Sequence, residues 1–354
     1  MELVPGAPLF HQLAQALRAE IRSGKRAKGE YLPNEAALEK AYGVSRVTVR
    51  RALAELKAEG LIESRRRAGT RVTGKGAASR SRLIGVLTPN MFQAQYASFL
   101  HALEGALRPQ GLDLIVHNSE LSPEVERAGL EAHLARGVEA ILHIWDKKSA
   151  ANLPLLKRIA AAGIPLLVVD HREAGLDADF IVQDHRLGMK LALEYLVARG
   201  ARKLLHVRAV VGLWGADERE AGFREEARRQ GVPTGDLTTL VGDYDGETAR
   251  ASLARHYRPG VPFPTGIVAS ADMTAQAAHD FFHERGARIP GELHLVAFGT
   301  DPGALRSREA IQCIDSMAAV QARAAAARLL ERLGGDGARR VVVTPMALAP
   351  GGRG

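Results

Sequence analysis

A single cysteine, Cys313, in 354 residues rules out an internal disulfide and leaves no spacing for a cysteine-based zinc site. No apolar run is long enough to cross a bilayer, and the amino end lacks a charged-then-apolar leader. The chain is therefore expected to be soluble and cytoplasmic, with no membrane partner. Lysine phosphate loops, Gly-x-Ser-x-Gly elbows and Cys/His nucleophile arrangements are missing too. His279 and His283 stand four apart, as metal ligands can, but Asp280 follows the first where a zinc protease needs glutamate. The expectation is a protein that is not an enzyme and uses no cofactor or metal.

What the chain does have is positive charge, unevenly placed. Its 48 Lys and Arg outnumber 40 Asp and Glu, and residues 1–82 hold 17 of the former against 8 of the latter. The other 272 residues carry 31 and 32, so all the net positive charge sits in the amino-terminal stretch. Such asymmetry is expected of a basic nucleic-acid module joined to a domain with another task.

Within that stretch, Val49, Leu53 and Leu56 recur at helical spacing and predict one buried stripe, with Ser45 as helix cap. Arg46 and Arg50 are left on the outer side one turn apart. A guanidinium can take a phosphate or both acceptors of a guanine edge, and Thr48 adds a hydroxyl of the kind that contacts phosphate. Leu13, Leu17 and Ile21 predict an earlier helix, and Leu32-Pro33-Asn34-Glu35 a stop and cap before a short helix through Ala41. Leu61–Ser64 and Gly69–Val72 read as two strands around a basic loop, Arg65, Arg66 and Arg67. The pattern is a winged helix-turn-helix.

This stretch resembles the GntR family of bacterial transcription regulators. The motifs are Pro8-Leu9-Phe10, Leu32-Pro33-Asn34-Glu35, Gly43-Val44-Ser45-Arg46-Val47-Thr48-Val49-Arg50, Gly60-Leu61-Ile62 and Ala68-Gly69-Thr70-Arg71-Val72. Two positions depart from the family pattern: Ala36 replaces a common basic residue, and Arg67 replaces the first wing glycine. The resemblance implies DNA contacts from Asn34, Ser45, Arg46, Thr48, Arg50, Arg65, Arg66, Arg67, Gly69 and Thr70.

Residues 74–82 are small, polar and basic and read as a linker between a domain at 1–73 and a second at 83–354. Beyond it, short apolar runs alternate with helix-length segments, the pattern of an α/β protein with parallel sheets that bind ligands off their carboxyl ends. Two such units imply two lobes, roughly 83–183 with 315–336 and 184–314 with 337–354, and a cleft. Asp170-His171-Arg172 and Asp184-His185-Arg186 each follow a predicted strand, where they can supply polar groups to the cleft or hinge.

Ile84-Gly85-Val86-Leu87, the stretch from Asp184 through Gly188 to Gly200, Arg219-x-x-Gly222-Phe223, Gly242-Asp243-Tyr244 and Ala269-Ser270-Ala271-Asp272 resemble the effector domain of the LacI/GalR family, which shares the periplasmic-binding-protein-like fold. A GntR-type head on such a body is the arrangement of arabinose-responsive repressors. The resemblance implies a ligand-responsive regulator, binding palindromic double-stranded operator DNA as a homodimer under control of a small sugar-like effector. The alternatives are a nucleobase effector, or a sugar-binding or sugar-modifying protein. Candidate effector residues are Phe92, Tyr96, Trp145, His171, Arg172, Asp184, Arg219, Tyr244, Asp272 and Asp301.

Overall fold

Three helices and a hairpin make the amino-terminal unit, and each element follows from a local signal. The computed structural model describes residues 9–22, 25–65, 69–73, 81–210, 212–299, 305, 307 and 309–350, without the side chains of Arg22 and Arg65. The chain divides into two units, 1–82 and 83–354. In the first, α1 (Leu9–Arg22) buries Leu13 and Leu17 against α2 (Glu35–Tyr42) and α3 (Arg46–Ala58). Gly43, at φ +66, closes α2 in the left-handed conformation that glycine adopts without strain, and so makes the turn before α3. Strands β1 (Ile62–Arg65) and β2 (Gly69–Val72) pair antiparallel, and Tyr31 bridges to Arg71 on the outer side of β2.

The second unit is two parallel sheets. The first lobe runs β3 (Leu83–Thr88), α4 (Ala94–Leu107), β4 (Asp113–Asn118), α5 (Pro123–Ala135), β5 (Ala140–Ile144), α6 (Leu153–Ala161), β6 (Leu166–Val169) and β7 (Asp179–Gln183). The second runs α7 (His185–Ala198), β8 (Leu204–Arg208), α8 (Trp214–Arg229), β9 (Leu237–Val241), α9 (Gly246–His256), β10 (Gly266–Ala269), α10 (Asp272–His283), β11 (His294–Phe298) and β12 (Ile311–Asp315). The chain then returns as α11 (Ala318–Leu333) and β13 (Val341–Thr344) and ends in β14 (Ala347–Leu348).

Strand orders are β13-β7-β6-β5-β3-β4 and β14-β12-β11-β10-β8-β9, with only β14 antiparallel to its neighbour. Helices cover both faces of each sheet, which is why the central strands are mostly apolar; all five residues of β5 are buried, His143 among them. Each Leu or Ile so buried contributes about 1.5–3 kcal/mol.

Two expectations need correction. The segment 337–354 does not belong wholly to the second lobe: β13 pairs in register with β7, Val341 opposite Phe180, and only β14 joins the second sheet. An expectation of strands from apolar runs alone also misses β9, β12 and β14, because Leu-Thr-Thr-Leu-Val and Ile-Gln-Cys-Ile-Asp carry polar residues, and β14 has only two residues.

The β13–β7 edge is tied down by charge. Asp179, wholly buried at the start of β7, accepts from Arg328 Nε at 2.7 Å and from the Arg340 amide at 2.9 Å, with Arg332 Nε 3.3 Å away. Removing the acid leaves the buried Arg332 without its carboxylate and the Arg328 Nε without its acceptor, although Glu331 and Asp336 still hold Arg328 Nη1, so Asp179→Ala should lower the stability of the body by about 3 kcal/mol in urea unfolding. A loss below about 1 kcal/mol would contradict this account of the edge.

Candidate functional site

The outer face of α3 is set by its caps and its buried stripe. Ser45 Oγ accepts the Thr48 amide at 3.3 Å and lies 2.9 Å from Thr48 Oγ1, and Asn34 Oδ1 accepts the Ala37 amide at 2.9 Å. Asn34, Ser45 and Thr48 therefore first determine where α2 and α3 begin. Val49, Ala52 and Leu56 are buried, which turns Arg46, Val47 and Arg50 outward at 66, 68 and 63 % exposure. Val47 belongs to no charge pattern; its only signal in the sequence is that it falls off the buried stripe.

Arg46 and Arg50 share one partner. Their Nε groups donate to Glu35 Oε2 at 2.9 and 3.1 Å, and the two guanidiniums hold the Glu35 carboxyl below the usual carboxylate range. In the wing, Gly69 enters β2 at φ +98, and Thr70 pairs with Ser64 while its carbonyl accepts the Leu32 amide at 2.8 Å. Arg66, Arg67 and the side chain of Arg65 lie outside the described residues.

In the body, parallel strands aim the carboxyl ends of both sheets at one cleft. From the second lobe comes Arg219 of α8. Its guanidinium lies 4.2 Å over the Phe298 ring, Nε donates to His185 Nδ1 at 3.2 Å, and Nη1 donates to the Ser270 carbonyl at 3.1 Å. A His185 that accepts on Nδ1 is neutral. Burial, with the Arg219 charge beside it, pushes its pKa well below the ordinary value.

From the first lobe comes Asp170, just past β6, with φ +66 and Oδ1 accepting from Gln321 Nε2 at 2.7 Å. Burial raises its carboxyl pKa, opposed by the Gln321 bond and then by the Arg219 charge. The Asp170 and Arg219 charges thus reach each other across the cleft, and the phenols of Tyr96 and Tyr244 stand near enough for the Asp170 charge to add to the rise that burial gives their pKa. A small, partly open pocket in the first lobe's share is lined by Tyr96, Asp170, Gln183, Ser316 and Gln321.

Trp145 and His171 stack with ring centroids 4.4 Å apart, and Trp145 is only 6 % exposed. Asp272 opens α10 against Gly299, where an added Cβ would collide with its carboxylate. The lobes meet through Lys147 Nζ, which donates to Asp243 Oδ2 at 2.6 Å, and through Arg172, 5.9 Å from the Trp214 ring.

The structure thus brings together Tyr96, Arg219 and Tyr244, with Trp145 and His171 as a stacked pair at the strand ends. Other candidates stand elsewhere. Phe92 is 87 % exposed. Asp184 caps α7, accepting the Leu187 amide at 2.8 Å, and Arg172 turns to Trp214. Asp301 lies outside the described residues. Gln321 and Lys147 were not legible: the first is one glutamine in an alanine-rich helix, the second one lysine in a polar loop. Among the described residues, no group of three His, Cys, Asp or Glu could hold a metal, and no helix is long and apolar enough to cross a membrane.

Residues 9–72 match the gntR family of bacterial regulatory proteins, and residues 193–352 match the periplasmic binding protein-like domain. The chain is 25 % identical over 301 residues to an arabinose metabolism transcriptional repressor of Geobacillus stearothermophilus, covering 82 % of each chain. It is 27 % identical over 226 residues to a ribose operon repressor of Halalkalibacterium halodurans, which is 63 % of this chain and 64 % of that one. The match thus spans just under two thirds of the ribose operon repressor's length. A periplasmic binding protein/LacI transcriptional regulator from Alkaliphilus metalliredigens, complexed with D-xylulofuranose, superposes with a TM-score of 0.61 at 18 % identity, covering 76 % of this chain and 97 % of that one. That likeness shows the fold.

Burial lowers the pKa of several imidazoles of the body: His171 and His206, against the opposing pull of Glu173 and Glu220, His185 well below the ordinary value, and His133 to about 4. An unfolded histidine takes its proton near pH 6.5, so between 6.5 and 4 the unfolded state binds more protons than the folded one. Their contribution is complete above pH 6.5 and is lost on acidification. Urea midpoints of the body should drop between pH 6.5 and 4, with His133 alone accounting for up to about 3 kcal/mol. A flat profile across that window would contradict the neutral burial of these rings.

Proposed function

We propose that this chain, a GntR-type helix-turn-helix domain joined to a periplasmic-binding-protein-like body, is a ligand-controlled transcription repressor acting in the cytoplasm. The reading rests chiefly on one observation: a face of exposed arginines on a capped helix shares a chain with a cleft where Arg219 and Asp170 come from opposite lobes. The head reads operator DNA, and the body binds a small neutral polyhydroxylated ligand of the sugar class. Arg219 donates to ligand hydroxyls, Asp170 accepts from them, and Tyr96 and Tyr244 close on its faces. The repressor names and the bound pentulose among the similar proteins support a sugar over a nucleobase. Two copies bind through their bodies to a two-fold-symmetric site, since one small head makes few contacts. The ligand favours one lobe arrangement and shifts operator affinity reciprocally.

Thermal shift against D-ribose, L-arabinose, D-xylulose, their phosphates and the nucleobases tests the ligand. A neutral pentose should raise the melting temperature of the natural protein. Arg219→Ala should abolish that response while leaving DNA binding without ligand intact. A response to nucleobases alone, or an Arg219→Ala protein that responds at the same sugar concentration, overturns the sugar assignment. On the DNA side, Arg50→Ala should weaken operator binding by about 1–3 kcal/mol in a gel-shift titration. Unchanged affinity would remove α3 as the reading helix.

A further inference from the structure

We infer that Glu35 is a specificity-determining residue of the DNA-reading face: its carboxylate positions Arg46 and Arg50 for base edges and withholds them from indiscriminate phosphate contact. The inference rests on the DNA-binding reading above. Glu35 is the first residue of α2, held there by the Asn34 cap, so its carboxylate has a fixed origin. It takes the Nε–H of two arginines, 11 and 15 residues further along, and those arginines lie on the most exposed side of α3. Glu39, one turn along α2, places Oε1 4.0 Å from the Arg46 Nε and supports the same pose, while Ala36 brings no competing cation.

An unrestrained surface arginine reaches whichever phosphate is near, and that contact carries no sequence information. Anchoring at Nε fixes the guanidinium plane and leaves its terminal Nη pair as the end-on fork that matches O6 and N7 of a guanine. A carboxylate on this face repels every duplex equally. Its charge therefore lowers general affinity, while the fork it orients raises the ratio between right and wrong sequences.

The test uses the full-length chain and duplexes selected by the natural protein from a random library. Binding of the selected duplex and of its scrambled counterpart is measured for the natural protein, Glu35→Gln and Glu35→Asp. Glu35→Gln should bind the scrambled duplex several-fold tighter and lose about tenfold in discrimination, and its own selected pool should become degenerate. Glu35→Asp keeps the charge but shortens the reach by one methylene. It should lose discrimination with little change on the scrambled duplex. Equal tightening on both duplexes by Glu35→Gln, with Glu35→Asp indistinguishable from the natural protein, would make Glu35 a like charge and nothing more, and overturns the inference alone. A natural protein that selects no sequence overturns the inference together with the DNA-binding reading.

Discussion

Three passages of the chain between the two sheets of the body are the constraint on which its cleft depends. The first runs from β7 into α7, the second from β12 into α11, and the third from β13 into β14. Each leaves the carboxyl end of a parallel strand, so the ligand-binding ends of both sheets are obliged to face the same gap. Side chains and backbone at these passages hold one another: the Asp184 amide donates to the Thr344 carbonyl at 2.8 Å, and Gln321, in the first turn of α11, donates to Asp170. Tertiary connection, more than any single motif, is what makes Asp170 and Arg219 members of one site.

The same passages separate what is fixed within each lobe from what joins the two. Within each lobe the functional groups are preset: neutral His185 and Phe298 hold Arg219, and Gln321 holds Asp170. Between the lobes, apart from the three passages, contact is made by exposed or partly exposed groups such as the Lys147–Asp243 pair and Arg172 over Trp214. Surface contacts of this kind contribute little, up to about 1 kcal/mol each, which under the proposed function would leave a ligand gripping both lobes enough free energy to bias their arrangement. In the proposed repressor this bias is the signal.

On the DNA-reading side of the head, charge is arranged in the opposite sense. The body neutralises its buried ions locally, as at Asp179 with Arg328 and Arg332, and the head does the same for Arg18 with Glu55 and Glu59, whereas on the outer side of α3 it leaves arginines exposed and steers them with a carboxylate from the neighbouring helix. Two kinds of ion pair thus serve different ends: one closes a sheet edge, the other presents donors.

Much was legible from the residues alone, because it depends on near neighbours in the chain. The Ser45 and Asn34 caps, the Val49 and Leu56 stripe and the alternation of apolar strands with amphipathic helices are local patterns with periods of two to four residues, and they determined the winged head and the α/β body. Arg219 and Tyr244 were singled out through motif resemblance. Only the tertiary structure decided that β13 pairs with β7, that Glu35 bridges Arg46 and Arg50, that Asp184 is a cap, and that Gln321 supports a carboxylate 151 residues away. The pairings among these are choices among partners of similar chemistry at long separation, and the cap is one local role among several open to an aspartate. Periodicity cannot rank such options; close packing of the folded chain does, by leaving each polar group a particular neighbour within hydrogen-bond reach.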